Sequence, residues 1–165
     1  MREVRSVAPR DSEPCLEIVR ALPDFFTQDV PDRVLRDLQR HTAWVIREAE
    51  EIVGFLVVER RFSQVAEILW MAIRPDRRNV GLGTRLLNEV LASLRDEGIA
   101  LVEVKTLDRS VGYEPYKATV AFWERRGFMQ IDTIDPFPGW ERGNAAALYV
   151  AALATSTVGT KASGT

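Results

Sequence analysis

The sequence predicts an α/β (α+β) fold, one mixed sheet of about seven strands with helices on both faces. Three observations lead there. The run Ile52-Val53-Gly54-Phe55-Leu56-Val57-Val58 is apolar throughout, as in a strand covered on both sides. The segment Leu82 to Glu97 places Leu82, Leu86, Leu87, Val90, Leu91 and Leu94 on one helical face, with Arg85, Asn88, Glu89, Asp96 and Glu97 elsewhere. The element order β-α-α-β-β-β-α-β-α-β-β suits neither a doubly wound parallel sheet nor a sandwich.

The elements follow in order. Val4 to Val7 reads as a short first strand. Asp11 or Ser12 can cap a helix running to about Leu22, with Pro14 tolerated in its first turn. Phe25 and Phe26 fall in a loop, and a second short helix covers about Pro31 to Arg40. Thr42 to Arg47 and Ile52 to Arg60 form an antiparallel pair across the acidic turn Glu48 to Glu51. Val65 to Ile73 is a strand ended by Pro75. The long helix from Leu82 stops at Gly98, and Ile99 to Thr106 is the next strand. Pro115 to Arg126 is a helix with Tyr116, Val120 and Trp123 along one side, closed by Gly127. Phe128 to Ile134 and Ala145 to Leu153 are the last strands. The chain shows no internal repeat. Residues 1–154 read as one domain, and residues 155–165, which carry almost nothing to bury, as a disordered tail.

Composition bounds the function. Apolar residues make up 46% and charged residues 28% of the 165-residue chain, as in a globular domain with a real core. With 22 Lys and Arg against 24 Asp and Glu, the net charge of −2 gives no reason to expect nucleic acid or an anionic membrane as the main partner. A local basic patch at Arg74, Arg77 and Arg78 is the exception. One cysteine, Cys15, allows no internal disulfide and reads as a small apolar helix residue in a reducing compartment. His41 has no second ligand at metal-binding spacing. The N-terminus lacks the apolar stretch of a signal peptide, and no run approaches the ~20 residues that cross a bilayer. A cytoplasmic location is expected.

The most informative stretch is Ile73-Arg74-Pro75-Asp76-Arg77-Arg78-Asn79-Val80-Gly81-Leu82-Gly83-Thr84, which joins a buried strand to the start of the amphipathic helix. A helix N-terminus leaves N–H groups unpaired and carries partial positive charge. Two glycines two residues apart let a ligand come close to the backbone, so the stretch can cradle a phosphate. Arg77 and Arg78 add charge at its rim. The alternative is a glycine-rich helix start with exposed arginines. A nucleotide P-loop does not fit, since no Gly-Lys-Ser/Thr is present. Nor does a dinucleotide turn, since Leu86 stands where a third glycine belongs.

Arg78-Asn79-Val80-Gly81-Leu82-Gly83 resembles the Arg/Gln-x-x-Gly-x-Gly/Ala signature of the GNAT acetyltransferase superfamily. Ala66-Glu67-Ile68-Leu69-Trp70-Met71-Ala72-Ile73-Arg74-Pro75 resembles that family's fourth strand. Thr119-Val120-Ala121-Phe122-Trp123-Glu124-Arg125-Arg126-Gly127-Phe128 is similar to its second motif. The resemblance spans about Arg2 to Leu153 in element order. It implies a mostly antiparallel sheet and a direct transfer of acetyl from acetyl-CoA to a primary amine of a small molecule, amino acid or peptide. The pyrophosphate is expected on the N–H groups of Asn79, Val80, Gly81, Leu82, Gly83 and Thr84, with Arg78 at the rim. The main chain of Met71 and Ile73 would hold the pantetheine arm, and the backbone near Met71 would donate to the thioester carbonyl. A homodimer is one assembly the resemblance implies.

A protonated amine is no nucleophile, so a base or a water chain must take its proton, and a thiolate leaving group gains from a nearby acid. Glu67 is the candidate base. It lies in an apolar run where burial raises a carboxyl pKa, at a position similar to the catalytic glutamate of the histone-acetylating branch. The alternative is a strand glutamate paired with solvent or an arginine. For the acid, Trp123 stands where the family commonly has tyrosine, so Tyr116, or Tyr113 before it, is the candidate. Trp123 is read as core or as a wall of the thioester pocket. Phe25 and Phe26, and the loop Asp135 to Asn144 with Trp140 and Glu141, would border the acceptor, unless they only pack their loops. A non-catalytic acyl-CoA sensor of the same fold is the second reading, favoured by Trp123.

Overall fold

The structure is a computed structural model describing residues 1–154; the expected tail at 155–165 lies outside the described residues. Seven strands form one sheet: β1 (Arg2–Ser6), β2 (Thr42–Glu48), β3 (Glu51–Phe62), β4 (Val65–Ile73), β5 (Leu101–Leu107), β6 (Met129–Ile134) and β7 (Ala146–Ala152). Their spatial order is β1-β2-β3-β4-β5-β7-β6. Among the described residues β4–β5 is the only parallel pair. That pair needs a crossover, and the helix between its strands supplies it.

Two helix pairs cover the two faces. On one, α1 (Ser12–Arg20) and α2 (Val30–Arg40) enclose Cys15, Leu16, Val19, Val34 and Leu38 against Val45, Phe55 and Val57. On the other, α3 (Leu82–Asp96) and α4 (Tyr116–Arg125) pack Leu86, Leu87, Val90, Leu94, Val120 and Trp123 against Ile46, Leu56, Val58, Ile68 and Tyr149. Every residue from Val53 to Val58 other than Gly54 contributes a buried side chain to one of these two cores. This is why β3 reads as unbroken apolar sequence: from Phe55 to Val58 successive residues serve opposite cores, and Val53, at the register shift with β2, joins the core of Leu56 and Val58. At Gly54 a methyl would meet Ala72 O and Ile46 Cγ2 at 3.0 Å, so the neighbours leave no room for a side chain. Strand and helix boundaries follow the expected ones within a few residues.

One local expectation fails. Asp11 precedes α1 but its carboxylate does not cap it. The carboxylate accepts Ala8 N–H at 2.7 Å and the Arg5 guanidinium at 2.6 and 3.0 Å. A two-pronged ion pair from β1 is stronger than a cap bond, and it fastens the chain's first strand to its first helix. Arg5 and the Ala8 N–H hold the Asp11 carboxyl below its usual pKa, against the opposing effect of burial. The folded pKa is depressed, so this contribution to stability is present above the unfolded value of about 3.9 and fades as pH falls through the folded one. Urea midpoints measured from pH 7 to pH 3 should fall, and Asp11→Asn should lower the pH 7 midpoint while flattening that acid dependence.

Candidate active site

The turn before α3 is built from left-handed backbone. Asn79 has φ of 62° and Gly81 of 82°. No side chain caps the helix. Its first ordinary bond runs from Arg85 N–H to Gly81 C=O at 3.0 Å, so the N–H groups just before it are left facing outward. The two glycines serve different needs. A methyl on Gly81 would meet no heavy atom within 4 Å, which leaves the outer side of the turn open. A methyl on Gly83 would meet Phe122 at 3.3 Å, Met71 at 3.5 Å and Ile73 at 3.6 Å. Gly83 therefore lets the helix start lie directly on β4 and α4.

The basic patch is partly spent on structure. Arg74 pairs with Asp76 at 2.6 Å and Glu51 at 2.8 Å, and Arg77 pairs with Glu48 at 3.1 Å, so Arg77 is not the free rim charge that was expected. Arg78 has no carboxylate partner among the described residues; its guanidinium lies 4.6 Å from the centre of the Phe25 ring. Arg126, at the end of α4, brings a charge the sequence reading missed. It stacks on Phe122 at 3.7 Å, donates to Phe122 C=O at 2.9 Å, and donates to Thr84 Oγ1 in the first turn of α3. Its Nε is buried without a partner.

Beside this turn the sheet opens. β4 pairs with β5 from Val65↔Leu101 to Ile68↔Val104 and no further. At that point β4 carries a bulge: its register with β3 passes from Val58↔Ile68 to Val57↔Trp70, leaving Leu69 over. From Leu69 to Ile73 the edge of β4 that would meet β5 has no strand partner. The gap opens into a cavity of about 870 Å³. Glu67, Met71, Arg78, Tyr116, Trp123, Phe26 and Trp140, which lie far apart in sequence, all line it. Ile73 and residues 79–84 do not; they flank it, with Gly83 against Met71 and Ile73.

Glu67 is 6% exposed. Its two oxygens are both engaged, Oε1 by Lys105 Nζ at 2.6 Å and Oε2 by Arg61 at 3.1 Å. Burial raises its pKa, and Lys105 and Arg61 pull the other way. Tyr116 donates its hydroxyl to Phe25 C=O at 3.0 Å, and burial raises its pKa, so the phenol is protonated at neutral pH. Tyr113 donates to Asp24 C=O at 2.9 Å. Tyr116 thereby ties the Asp24–Phe26 loop to the start of α4, and Tyr113 ties it to the segment just before that helix. Trp123 is 5% exposed and packs edge-on against Phe122 and Phe128, so it is core and cleft wall at once. On the opposite side Phe26 meets Trp70 at 6.2 Å, and Trp70 Nε1 donates to Asp37 at 2.6 Å. Trp140 packs on Phe137 at 5.3 Å. Lys105, Arg61, Asp37 and Trp70 were not anticipated. Only Lys105 left a trace, as a charge alternating with Glu103 along β5.

The profile of the Acetyltransferase (GNAT) family matches residues 13–128. The chain belongs to the GNAT acetyltransferase family. Enzymes of this family use acetyl-CoA and act on amines. Among solved structures, a GNAT-family protein from Desulfovibrio desulfuricans superposes with a TM-score of 0.82 at 22% identity, over 93% of this chain and 100% of that one. The ribosomal-protein-S18-alanine N-acetyltransferase of Escherichia coli gives 0.78 at 16% identity, over 98% of each chain. A GNAT acetyltransferase from Elizabethkingia anophelis with acetyl-CoA bound gives 0.67 at 19%, over 92% and 98%. At these identities the likeness is one of fold. No match was found among curated proteins.

Cys15 lies in the α1–α2 core, fully buried, and burial pushes its thiol pKa up to about 12. The folded protein should not react with a thiol reagent, and one equivalent should react after denaturation. A fast native reaction would show that the α1–α2 layer opens.

Proposed function

We propose that this GNAT protein transfers acetyl from acetyl-CoA to a primary amine, by direct attack in a ternary complex. The amine is carried by a small molecule, an amino acid or a peptide. One observation carries the reading: the open turn of α3, the unpaired edge of β4 and a buried carboxylate border one cleft. The residues present fit acetyl-CoA. The space outside Gly81 leaves room for a diphosphate against residues 79–84, with the Arg78 guanidinium next in the chain and that of Arg126 bonded to Thr84. The strandless edge at Met71 and Ile73 offers main-chain groups to an extended amide-bearing arm, as an added strand would take them.

When bound, acetyl-CoA supplies a thioester carbonyl open to attack and a thiolate leaving group. Phe26 and Trp140 give the acceptor's body an apolar seat. Glu67 takes the proton from the incoming ammonium, directly or through water. Tyr116 holds a proton available for the departing sulfur, and main-chain N–H near Met71 faces developing negative charge. Trp123 closes the wall behind them. The non-catalytic sensor is the second reading, favoured by Trp123 and by the two cations already on Glu67. Among the described residues no helix is long and apolar enough to cross a membrane. A single catalytic domain over 1–154, in the cytoplasm and without nucleic acid, completes the reading.

Thiol release from acetyl-CoA across a panel of amines, amino acids and peptides tests it, with calorimetric acetyl-CoA binding on the same protein. Release with one acceptor class supports the enzyme; tight binding with no release supports the sensor. Gly81→Glu should abolish binding by setting bulk and negative charge in the open turn, and retained binding would remove the phosphate assignment. Glu67→Gln should lower kcat by about 10²–10⁴-fold with little change in acetyl-CoA affinity. It should also erase the acidic limb of kcat/KM, on which activity rises as Glu67 loses its proton. An unchanged profile would take Glu67 out of the mechanism.

A further inference from the structure

Glu67 and Glu103 are register partners on β4 and β5, the last but one rung before the two strands part. Both carboxylates leave the sheet on the same side, and one cation lies between them: Lys105 Nζ is 2.6 Å from Glu67 Oε1 and 3.5 Å from Glu103 Oε1. On β3, Arg61 reaches Glu67 at 3.1 Å and Glu59 at 3.2 Å. The cluster is thus three carboxylates and two cations, and Asp37 and Glu141 line the same cleft. The two cations are not equal. The Arg61 side chain is 43% exposed and its charge is shared with water; that of Lys105 is 18% exposed and lies beneath the rim formed by Phe137.

We propose that Lys105 is a positioning residue for the transfer reaction, holding Glu67 as a free carboxylate in the cleft against the repulsion of Glu103. This rests on the reading of Glu67 as the base. Two carboxylates side by side in a half-buried site tend to keep one proton between them. A Glu67 that already carries a proton cannot take another from an ammonium. Lys105 removes that obstacle and fixes one oxygen by a charge-assisted bond, leaving Arg61, at the solvent edge, as the partner that can yield. In the transfer an N–H bond of the ammonium breaks and an O–H bond forms on Glu67, while Lys105 keeps its own protons.

Carbon-13 titration of the glutamate carboxyls in the full chain reads this directly, with Glu67→Gln identifying the Glu67 signal by its loss. Lys105→Met should raise the Glu67 midpoint by about 1–3 pH units. Lys105→Arg should restore it, and Glu103→Gln should move it down. An unmoved midpoint in Lys105→Met, or an unmoved or raised one in Glu103→Gln, overturns the proposal; the second variant decides if the first fails to fold. In the thiol-release assay, with the acceptor the panel identifies, the acidic limb of Lys105→Met should shift upward by the same amount and activity should recover at high pH. A loss equal at every pH would mean a merely structural role and overturns it too. If Glu67→Gln turns over like the parent, the base reading fails and takes this proposal with it. If Glu67→Gln loses the acidic limb while Lys105→Met keeps it in place, only the role of Lys105 fails.

Discussion

The parting of β4 from β5 is the constraint on which the rest of the molecule depends. Buried backbone N–H and C=O groups need partners, and a strand inside a sheet ordinarily finds them on both sides. Here the bulge at Leu69 turns β4 away one residue after its last rung with β5. Five residues of interior strand are thereby left with one bare edge. An interior edge of this kind is stable only where water or a ligand can reach it, and so the sheet must contain a cleft. The helix that crosses from β4 to β5 begins beside that cleft, with Gly83 against Met71 and Ile73. The bare edge and the cleft go with one irregularity in β4.

The same parting explains why charge is tolerated near the middle of the sheet. α1 and α2 cover β2 and β3 but leave the face of β5 bare, so Glu67, Glu103 and Lys105 stand where apolar cover ends. Burial alone would penalise each of them, and mutual pairing offsets much of that cost. The aromatic residues do the complementary work. Phe25, Phe26, Trp70, Phe137 and Trp140 form the far wall, so the cleft passes from an ionic floor to an apolar rim.

Much of this was legible in the sequence. The two-sided apolar run of β3 and the helical stripe of α3 gave their elements because burial pattern and period leave little choice there. Ile73 to Thr84 was readable because strand, glycines and helix start are adjacent in the chain. What was hidden depends on contacts between distant segments. Nothing in Lys105 alone says that parallel register will set it against Glu67, 38 positions away. Asp11 looked like a helix cap because Arg5 cannot be foreseen as its partner without the β1–α1 corner. Arg126 likewise reads as an exposed helix end until α4 is laid against the first turn of α3.

The bond from Tyr116 to Phe25 has one more consequence. A phenol has a single hydrogen, and it can point at only one acceptor. A proton aimed into the cleft is a proton withdrawn from the Phe25 carbonyl, leaving the Tyr113 hydroxyl as the remaining tyrosine hydrogen bond to the Asp24–Phe26 loop. Under the proposed chemistry the act of supplying the proton would also slacken one wall of the acceptor's seat, so that finishing the reaction and loosening the exit become the same event.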